Sequence, residues 1–533
     1  MSARYFFVSF RSRETPSVSF SQPPFQLDVY SHGFRVSRFD QHIRDICAAY
    51  ARRFAQWGLV PVGRGRFERQ ITKVFAAATK ARDEYFFHRA CLDEFLQHCR
   101  FNQINTDLAT RIDHPLYRGE LVEFVWASPK QPRDYQLAAC EFFMQPEPVT
   151  KVLTAQTGSG KGLGSLWFVK EYGQRTAVVV KGMYLDKWKA EIIEMLGLKP
   201  GELLIVRGSK ALKALIDMFV HRTEESKKVK MVLISATTYR GLMEAYFEYG
   251  RSLSTTGYGC TPMEFFQTLG VGLRLIDEVH QFFHFNYTLD CVTHVPKAVS
   301  MSATLKSGDS FIDRLYSLIF PENTRAPTPE WERYIDCYTI GYIFANPTLI
   351  RFTNFMGQYS QAEFEKSILK YPQVLSNYIK MICDLSHSQF IDGQKPAQKL
   401  AIFCGLKDMV ERVVAALKVR FRDLKVGRFV DVDPDEVLQT SDIIVTTIQS
   451  CGTARDIPGL KVVINTVGLN KMDTNQQLIG RLRQLRGWPD ETPKFIYLYD
   501  RANGKHRKYM EELPNKLKGK IRHLNQLTST WKI

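Results

Sequence analysis

Cysteine pairs at redox or metal-binding spacing are missing from this chain. Its ten cysteines run from Cys47 to Cys451 without one C-x-x-C. Scattered thiols exclude a zinc ribbon and a disulfide framework and fit a reducing compartment. His88, Cys91, His98 and Cys99 fall close together, but on an amphipathic stretch, F-F-H-R-A-C-L-D-E-F-L-Q-H-C, where packing accounts for them better than a metal. No apolar run approaches the ~18 residues that a membrane span requires. The opening M-S-A-R-Y-F-F-V-S-F lacks the apolar core and cleavage site of a secretory signal. The expectation is a cytoplasmic protein without membrane contact. Acidic residues are also short: 55 Asp and Glu stand against 72 Lys and Arg, for a net charge of +17 and a pI near 9.3. Such an excess is the footprint of a polyanion, most simply nucleic acid; a merely basic soluble protein is the plainer reading.

What is present reads as globular. The chain has 533 residues, 44% apolar and 24% charged, too long for one core and enough for about three domains. Residues 4–11 read as a strand and 13–24 as a Ser/Pro-rich loop. Residues 40–57 have helical spacing, with Ile43, Ile46, Cys47, Tyr50 and Phe54 on one face. Residues 80–98 read as a further helix and 121–126 as a short strand. Arg52, Arg53, Arg64, Arg66, Arg69, Lys73, Lys80 and Arg82 either meet phosphates or solvate a surface. The Pro/Lys stretch 128–132 marks a first boundary.

From there strands and helices alternate. Strands are expected at 152–154, 177–180, 203–206, 229–235, 273–276 and 298–301, with helices at 137–144, 186–195 and 210–220. After a turn-rich stretch at 323–330 and a helical stretch at 363–385 the alternation restarts. Strands are expected at 400–404, 443–447, 462–466 and 495–499, and helices at 407–417 and 474–485. Strands separated by helical patterns imply parallel, doubly wound α/β sheets. A basic tail, 501–533, follows, with nine Lys or Arg against two Glu.

Two stretches carry chemistry. Residues 152–162, V-L-T-A-Q-T-G-S-G-K-G, place a Gly-punctuated loop between a strand and a helix. Glycines let successive backbone N–H groups face an anion, and the helix N-terminus adds positive charge. Lys161 would reach the β- and γ-phosphates of a nucleotide. The next position would ordinarily carry a hydroxyl for Mg²⁺; here it is Gly162. The second stretch is D-E-V-H, 277–280, at the end of an apolar strand. Asp277 would hold the Mg²⁺ shell through water, and Glu278 would orient and deprotonate an attacking water.

In order, the chain shows P-R-D-Y-Q, A-Q-T-G-S-G-K, D-E-V-H, S-A-T, S-C-G-T-A-R-D-I-P-G-L and Q-L-I-G-R-L-R. This set resembles the ordered motifs of superfamily 2 helicases over roughly residues 130–490. I-S-A-T-T-Y, Q-A-E-F-E-K-S-I-L and the run from S-D-I-I-V-T-T to G-R-L-R-Q-L resemble most closely bacteriophage recombination and repair (branch-migration) helicases of the T-even type. F-H-R-A-C-L-D-E-F-L resembles the small domain before their motor. The resemblance implies two tandem RecA-like α/β domains, 131–325 and 326–533, the second with the basic tail. A small α+β accessory region, 1–130, precedes them. It implies ATP and Mg²⁺ as cofactors, single-stranded or branched DNA as partner with RNA within the class, and recombination or replication proteins as further partners. It implies the cytoplasm of a bacterial host.

Site roles follow from the resemblance. Gln136 would read the adenine edge, supported by Arg133 and Tyr135. Thr157, Gly158, Ser159, Gly160, Lys161 and Gly162 would form the phosphate loop. His280, Ser302, Ala303 and Thr304 would couple the nucleotide to the nucleic-acid groove. Thr237 and Thr238 would contact strand backbone, with buried β-strand threonines as the alternative. Gly452, Thr453 and Asp456 would line the facing domain, Thr453 on nucleic acid and the other two on nucleotide. Gln477 and Arg481 would reach across the cleft, Arg481 as arginine finger. The family's second arginine, three residues on, is Gln484 here. On a helix Arg483 would point elsewhere by ~100°, which leaves Arg455 as substitute. Gly162 and Gln484 keep a rival reading open, an ATP-binding clamp with little turnover. A packaging terminase would need a C-terminal acidic nuclease cluster that the basic tail lacks.

Overall fold

The computed structural model describes residues 23–533, apart from 64, 65, 157, 329, 356, 432, 452–456, 471 and 486. The strand expected at 4–11 and most of the loop at 13–24 lie outside the described residues. The first large sheet has six parallel strands in the spatial order Leu203–Val206, Met231–Ser235, Thr176–Val180, Leu273–Ile276, Lys297–Ser302, Thr150–Thr154. Side chains alternate between two cores. Val178, Val180, Leu233, Leu275 and Val299 point into one, and Ala177, Val179, Val232, Ile234 and Ile276 into the other. Helices cover both faces, which is why these strands read as unbroken apolar runs.

The second sheet has seven strands: Val426–Phe429, Ile443–Thr447, Lys399–Cys404, Leu460–Asn465, Lys494–Asp500, Asp336–Ile343 and His523–Lys532 in spatial order. Leu400, Ile402 and Val445 face one core; Ala401, Phe403 and Ile444 face the other. The whole is the tandem RecA-like arrangement that the motifs lead one to expect. Three strands escape the sequence pattern: Asp336–Ile343, Val426–Phe429 and His523–Lys532. The last forms an edge, half exposed and built from H-L-N-Q-L-T-S-T-W-K, so its polar alternation reads as tail. The remaining tail is a helix, Gly504–Leu517, that contains Pro514. The helical stretch 363–385 is two helices, Gln361–Lys370 and Pro372–Ser386, because Pro372 restarts the chain as a first-turn residue.

The N-terminal region is a five-stranded sheet, ordered Ala77–Ala78, Glu84–His88, Gly33–Ser37, Gln26–Val29, Thr110–Asp113, with helices Gln41–Ala51 and Leu92–Phe101 packed on it. Here the expected helices are partly overturned. The helix at 40–57 ends at Ala51, and Trp57 lies in a strand, Ala55–Gly63, that holds the poor helix formers Gly58 and Pro61. The helix at 80–98 begins only at Leu92. Before it, E-Y-F-F-H is a strand with all five residues buried, so no alternation marks it. The strand at 121–126 reduces to one bridge, Leu121 to Gln174. Phe34, Tyr50, Phe87 and Phe95 belong to one continuous core with Val179, Phe283 and Tyr287 of the first large sheet and its helices.

That shared core encloses a charge. Arg274, 1% exposed, donates to Asp290 Oδ1 at 2.5 Å and to Thr293 Oγ1 at 3.0 Å. His88 from the N-terminal sheet lies 3.9 Å from the same aspartate, and burial pushes its pKa down to about 4, so it stays neutral. Removing one member of a buried pair strands the other charge without solvent. Asp290→Ala is therefore expected to cost about 3–5 kcal/mol, read from the urea midpoint at pH 7. Arg274→Met with Asp290→Leu is expected to cost less than the single change.

Candidate active site between the two sheets

At the end of strand Thr150–Thr154 the chain curls into the helix Lys161–Tyr172. Gly158 and Gly160 hold φ of +84° and +93°, left-handed values that L side chains rarely adopt. Lys161 is 8% exposed; its Nζ donates to Ala155 O at 3.0 Å and lies 3.9 Å from Glu278 Oε1. The P-R-D-Y-Q segment braces this loop from behind. The Tyr135 hydroxyl donates to Ser159 O. Gln136 Nε2 donates to Gly160 O, and its Oε1 accepts from Arg133 N–H, both at 2.7 Å. Gln136 is thus 3% exposed and committed to protein at both ends of its amide, where the sequence had it reading an adenine edge. Ser159 Oγ is buried with no hydrogen-bond partner among the described residues.

Two carboxylates face the cradle. Asp277 accepts from Trp188 Nε1 at 3.0 Å and from the Glu278 N–H at 2.9 Å. Burial, reinforced by the Glu278 charge and opposed by Lys161 and Lys187, pushes its pKa up to about 6. Glu278 has φ of +48°, a strained value for a residue with a Cβ. This conformation turns its carboxylate toward Lys161 and His280. Oε2 is buried and makes no hydrogen bond among the described residues, with His280 Nδ1 3.3 Å away. A buried acceptor without a donor, beside a left-handed glycine loop and a lysine, fits a water poised against a magnesium-bound nucleoside triphosphate.

His280 ties the two sheets together. Ser302 Oγ donates to Thr304 O at 2.5 Å and accepts from Thr304 N–H at 3.1 Å. With that hydroxyl proton committed, the His280 Nδ1–H donates to Ser302 Oγ at 2.9 Å. His280 Nε2 then accepts from Gln477 Nε2 of the second sheet's domain, at 2.7 Å. Ala303 and Thr304 line a larger chamber of about 1220 Å³ on the far side of the glycine loop, together with Arg133 and Tyr135.

The second sheet supplies cations. Its helix Met472–Ile479 carries Gln477 and stops well short of the expected 485. The Arg481 and Leu482 N–H groups bond back to Leu478 O and Ile479 O, turning the chain out of the helix. Arg481, 4% exposed, lines a chamber of about 510 Å³ with Lys161, Asp277, Glu278 and Gln477. Because residues 481–485 are not helical, the rotation argument against Arg483 fails. A Cβ on Gly158 would fall 1.6 Å from Arg483 Nη1, so this guanidinium sits directly on the phosphate loop. Gln484 lines the larger chamber instead.

The other expected residues divide. Thr238 is buried at the start of helix Ala236–Tyr249, not on a strand, and its Oγ1 accepts from Gly208 N–H at 2.7 Å. Thr237 is exposed, and its hydroxyl pairs with Ser235 Oγ at 2.8 Å. Thr157, Gly452, Thr453, Arg455 and Asp456 lie outside the described residues. A Cβ on Gly162 would lie 2.7 Å from Glu191 Oε2, so a carboxylate abuts the place of the missing hydroxyl. Trp188 and Glu191 escaped the sequence reading, and Arg483 was set aside there on the helical rotation. The first two come from the helix after strand Thr176–Val180, the immediate neighbour of the strand Leu273–Ile276 that leads into Asp277; only the strand order reveals that adjacency.

No protein-family model matches the chain, and no curated protein matches its sequence. Among solved structures it is similar to Dbp5 of S. cerevisiae bound to RNA and ADP BeF3, with a TM-score of 0.48 and 12% identity over 75% of this chain and 90% of that one. It is also similar to a fragment assigned as an HsdR subunit of a type I restriction enzyme from Vibrio vulnificus, with a TM-score of 0.47 and 15% identity over 75% and 70%.

The raised Asp277 pKa has a stability consequence. Between the ordinary value of 3.8 and about 6 the unfolded chain has released this proton while the folded chain keeps it. The folded state binds more protons there, so stability falls as pH rises through that window and is flat above it. In EDTA, Asp277→Asn is expected to remove this downward slope between pH 4 and 6, whatever its effect on stability at pH 7. Thermal unfolding across that pH range measures it.

Proposed function

We propose that the chain is an ATP-dependent nucleic-acid motor, a DNA helicase or translocase acting on branched or partly single-stranded DNA in recombination, repair or replication restart. The observation that carries this reading is convergence. Lys161, Asp277 and Glu278 from one sheet meet Gln477, Arg481 and Arg483 from the other around one chamber. Lys161 and the glycine-loop amides hold the β- and γ-phosphates of the substrate ATP. Asp277 would hold the Mg²⁺ that accompanies ATP, which would supply charge neutralisation at those phosphates. Glu278 Oε2, with no donor among the described residues, takes the proton of the attacking water. Arg481 and Arg483 stabilise the charge that develops on the γ-phosphate. Gln477, through His280, reports the state of the site to Ser302 and Thr304. Nucleotide closes the cleft, hydrolysis releases it, and nucleic acid lying across both sheets advances. The charge of +17 suits a grip on phosphates that is tolerant of sequence and sensitive to salt. Arg483 takes the second-arginine role that the sequence left to Arg455.

ATP hydrolysis over a panel of single-stranded, duplex, forked and four-way DNA, with matching RNA, tests the reading. Stimulation by structured DNA supports it, RNA alone moves it to an RNA motor, and a flat response removes it. Arg481→Ala is expected to lower kcat about 10³-fold. Arg483→Ala is expected to lower it at least ~10-fold; an unchanged kcat would return the role to Arg455.

Gly162 favours the clamp as second reading, since no hydroxyl there reaches the metal. An active enzyme with a raised Mg²⁺ requirement is expected. Gly162→Ser should lower the Mg²⁺ concentration for half-maximal hydrolysis, provided Glu191 swings aside. No hydrolysis at any Mg²⁺ concentration would leave the clamp.

A further inference from the structure

The strands Ala55–Gly63 and Arg66–Val74 form a two-stranded sheet of their own, nine residues a side, with no third strand among the described residues. Their register pairs Trp57 with Ile71, Leu59 with Arg69 and Pro61 with Phe67, so these six share one face. That face is open: Trp57 is 48% exposed, Leu59 67% and Ile71 41%. The Arg69 guanidinium lies over the Trp57 ring, 5.7 Å from its centre. Residues 55–74 hold four basic side chains and one acidic.

A two-stranded ribbon is marginal alone in water, and this one spends large apolar side chains on solvent. Its root, by contrast, is fixed. Gln56 Nε2 donates to Asp309 Oδ2 at 2.9 Å, Arg314 Nη2 to Arg53 O at 2.9 Å, and His284 Nε2 to Val74 O at 2.7 Å. Phe75 packs its ring on Phe283, His284 and Phe311. These partners sit on or just before two helices, Phe283–Cys291 and Ser310–Ile319. The first follows Asp277–Glu278 in sequence, and the second follows Ser302–Thr304. The ribbon is therefore anchored to the segments that leave the two ATP-site motifs.

We infer that this ribbon is a wedge for nucleic acid, its Trp57–Arg69 face stacking on the base pair exposed where a duplex opens into single strands. The inference rests on the motor reading of the cleft. A rigid aromatic face cannot reach bases inside a duplex, but the last pair at a junction presents a bare π surface. Stacking of bases on aromatic rings tolerates any sequence. The basic excess meets the flanking phosphates, and it disfavours a protein partner unless that partner is acidic.

The test uses the full-length chain without ATP, so it reads the ribbon separately from turnover. The probes are a forked DNA and a forked RNA, each with 2-aminopurine at the junction, and single strands of equal length. Wild type is expected to change the junction fluorescence of at least one fork, which also decides between DNA and RNA. Trp57→Ala is expected to weaken fork binding about tenfold and to abolish the fluorescence change, with single-strand binding altered far less. Trp57→Phe should restore most of both, and Arg69→Glu should repeat the loss. Leu59→p-benzoylphenylalanine should cross-link to the fork. Wild-type fork binding by Trp57→Ala, no junction signal from either fork, or cross-linking to a protein in place of the fork overturns the inference. If nucleic acid stimulates hydrolysis while Trp57→Ala binds forks normally, the ribbon fails and the motor stands; the reverse pattern fails the motor alone.

Discussion

A loop whose amides must all face inward has to be held in place by something other than its own backbone hydrogen bonds. That constraint shapes the cleft. Gly158 and Gly160 supply the left-handed turns, but the loop keeps its form because Tyr135 takes the Ser159 carbonyl, Gln136 takes that of Gly160, and Lys161 takes that of Ala155. Each brace occupies a carbonyl of the loop, the Ser159 N–H is spent on Gln156 O, and the amides left over can meet an anion. Gln136 can do this because its own acceptor is anchored on the Arg133 N–H at the start of its helix. The absence of a side chain at Gly158 serves a second purpose, since it admits Arg483 from the facing sheet.

The carboxylates show the same economy of position. Asp277 is fixed by an indole and a backbone amide, and burial holds its proton more tightly than water would. Glu278 adopts a strained backbone that turns its carboxylate inward, and its Oε2 has no donor among the described residues. Strain and an unsatisfied acceptor are tolerated together where a ligand relieves them. From His280 a run of hydrogen bonds leads to Ser302 on one side and Gln477 on the other, so this imidazole bridges the two sheets, beside the Gln156–Tyr334 hydrogen bond.

Much of this was legible in the chain. Buried parallel strands such as Leu203–Val206, Leu273–Ile276 and Ile443–Thr447 stand out as short apolar runs between helical patterns, and their limits were readable to the residue. The glycine loop and the D-E pair were readable because chemistry demands those residue types at that spacing. What failed had physical causes. Glu84–His88 is buried on both faces and is followed by a helix of the same character, so no period separates them. His523–Lys532 is an edge strand with a polar face. The helix at Gln477 ends early through turn bonds that nothing in Q-L-I-G-R-L-R-Q-L but its glycine announces, and the standing of Arg483 changed with it. Gln136 was assigned an outward role, but its amide is bonded to the protein itself; Thr238, read either as a strand contact or as a buried β-strand threonine, is buried on a helix and accepts from Gly208 N–H.

The core that Phe34, Tyr50 and Phe87 share with Val179, Phe283 and Tyr287 makes one solid body of the N-terminal sheet and the first large sheet. A solid body has no internal hinge to absorb displacement. Whatever opens or closes the cleft must therefore move the second sheet against it, and the exposed ribbon stays put as an anvil in the frame of the phosphate loop. On the proposed motor reading, a strand drawn past the ribbon would be the moving part, and packing would keep step and wedge in register.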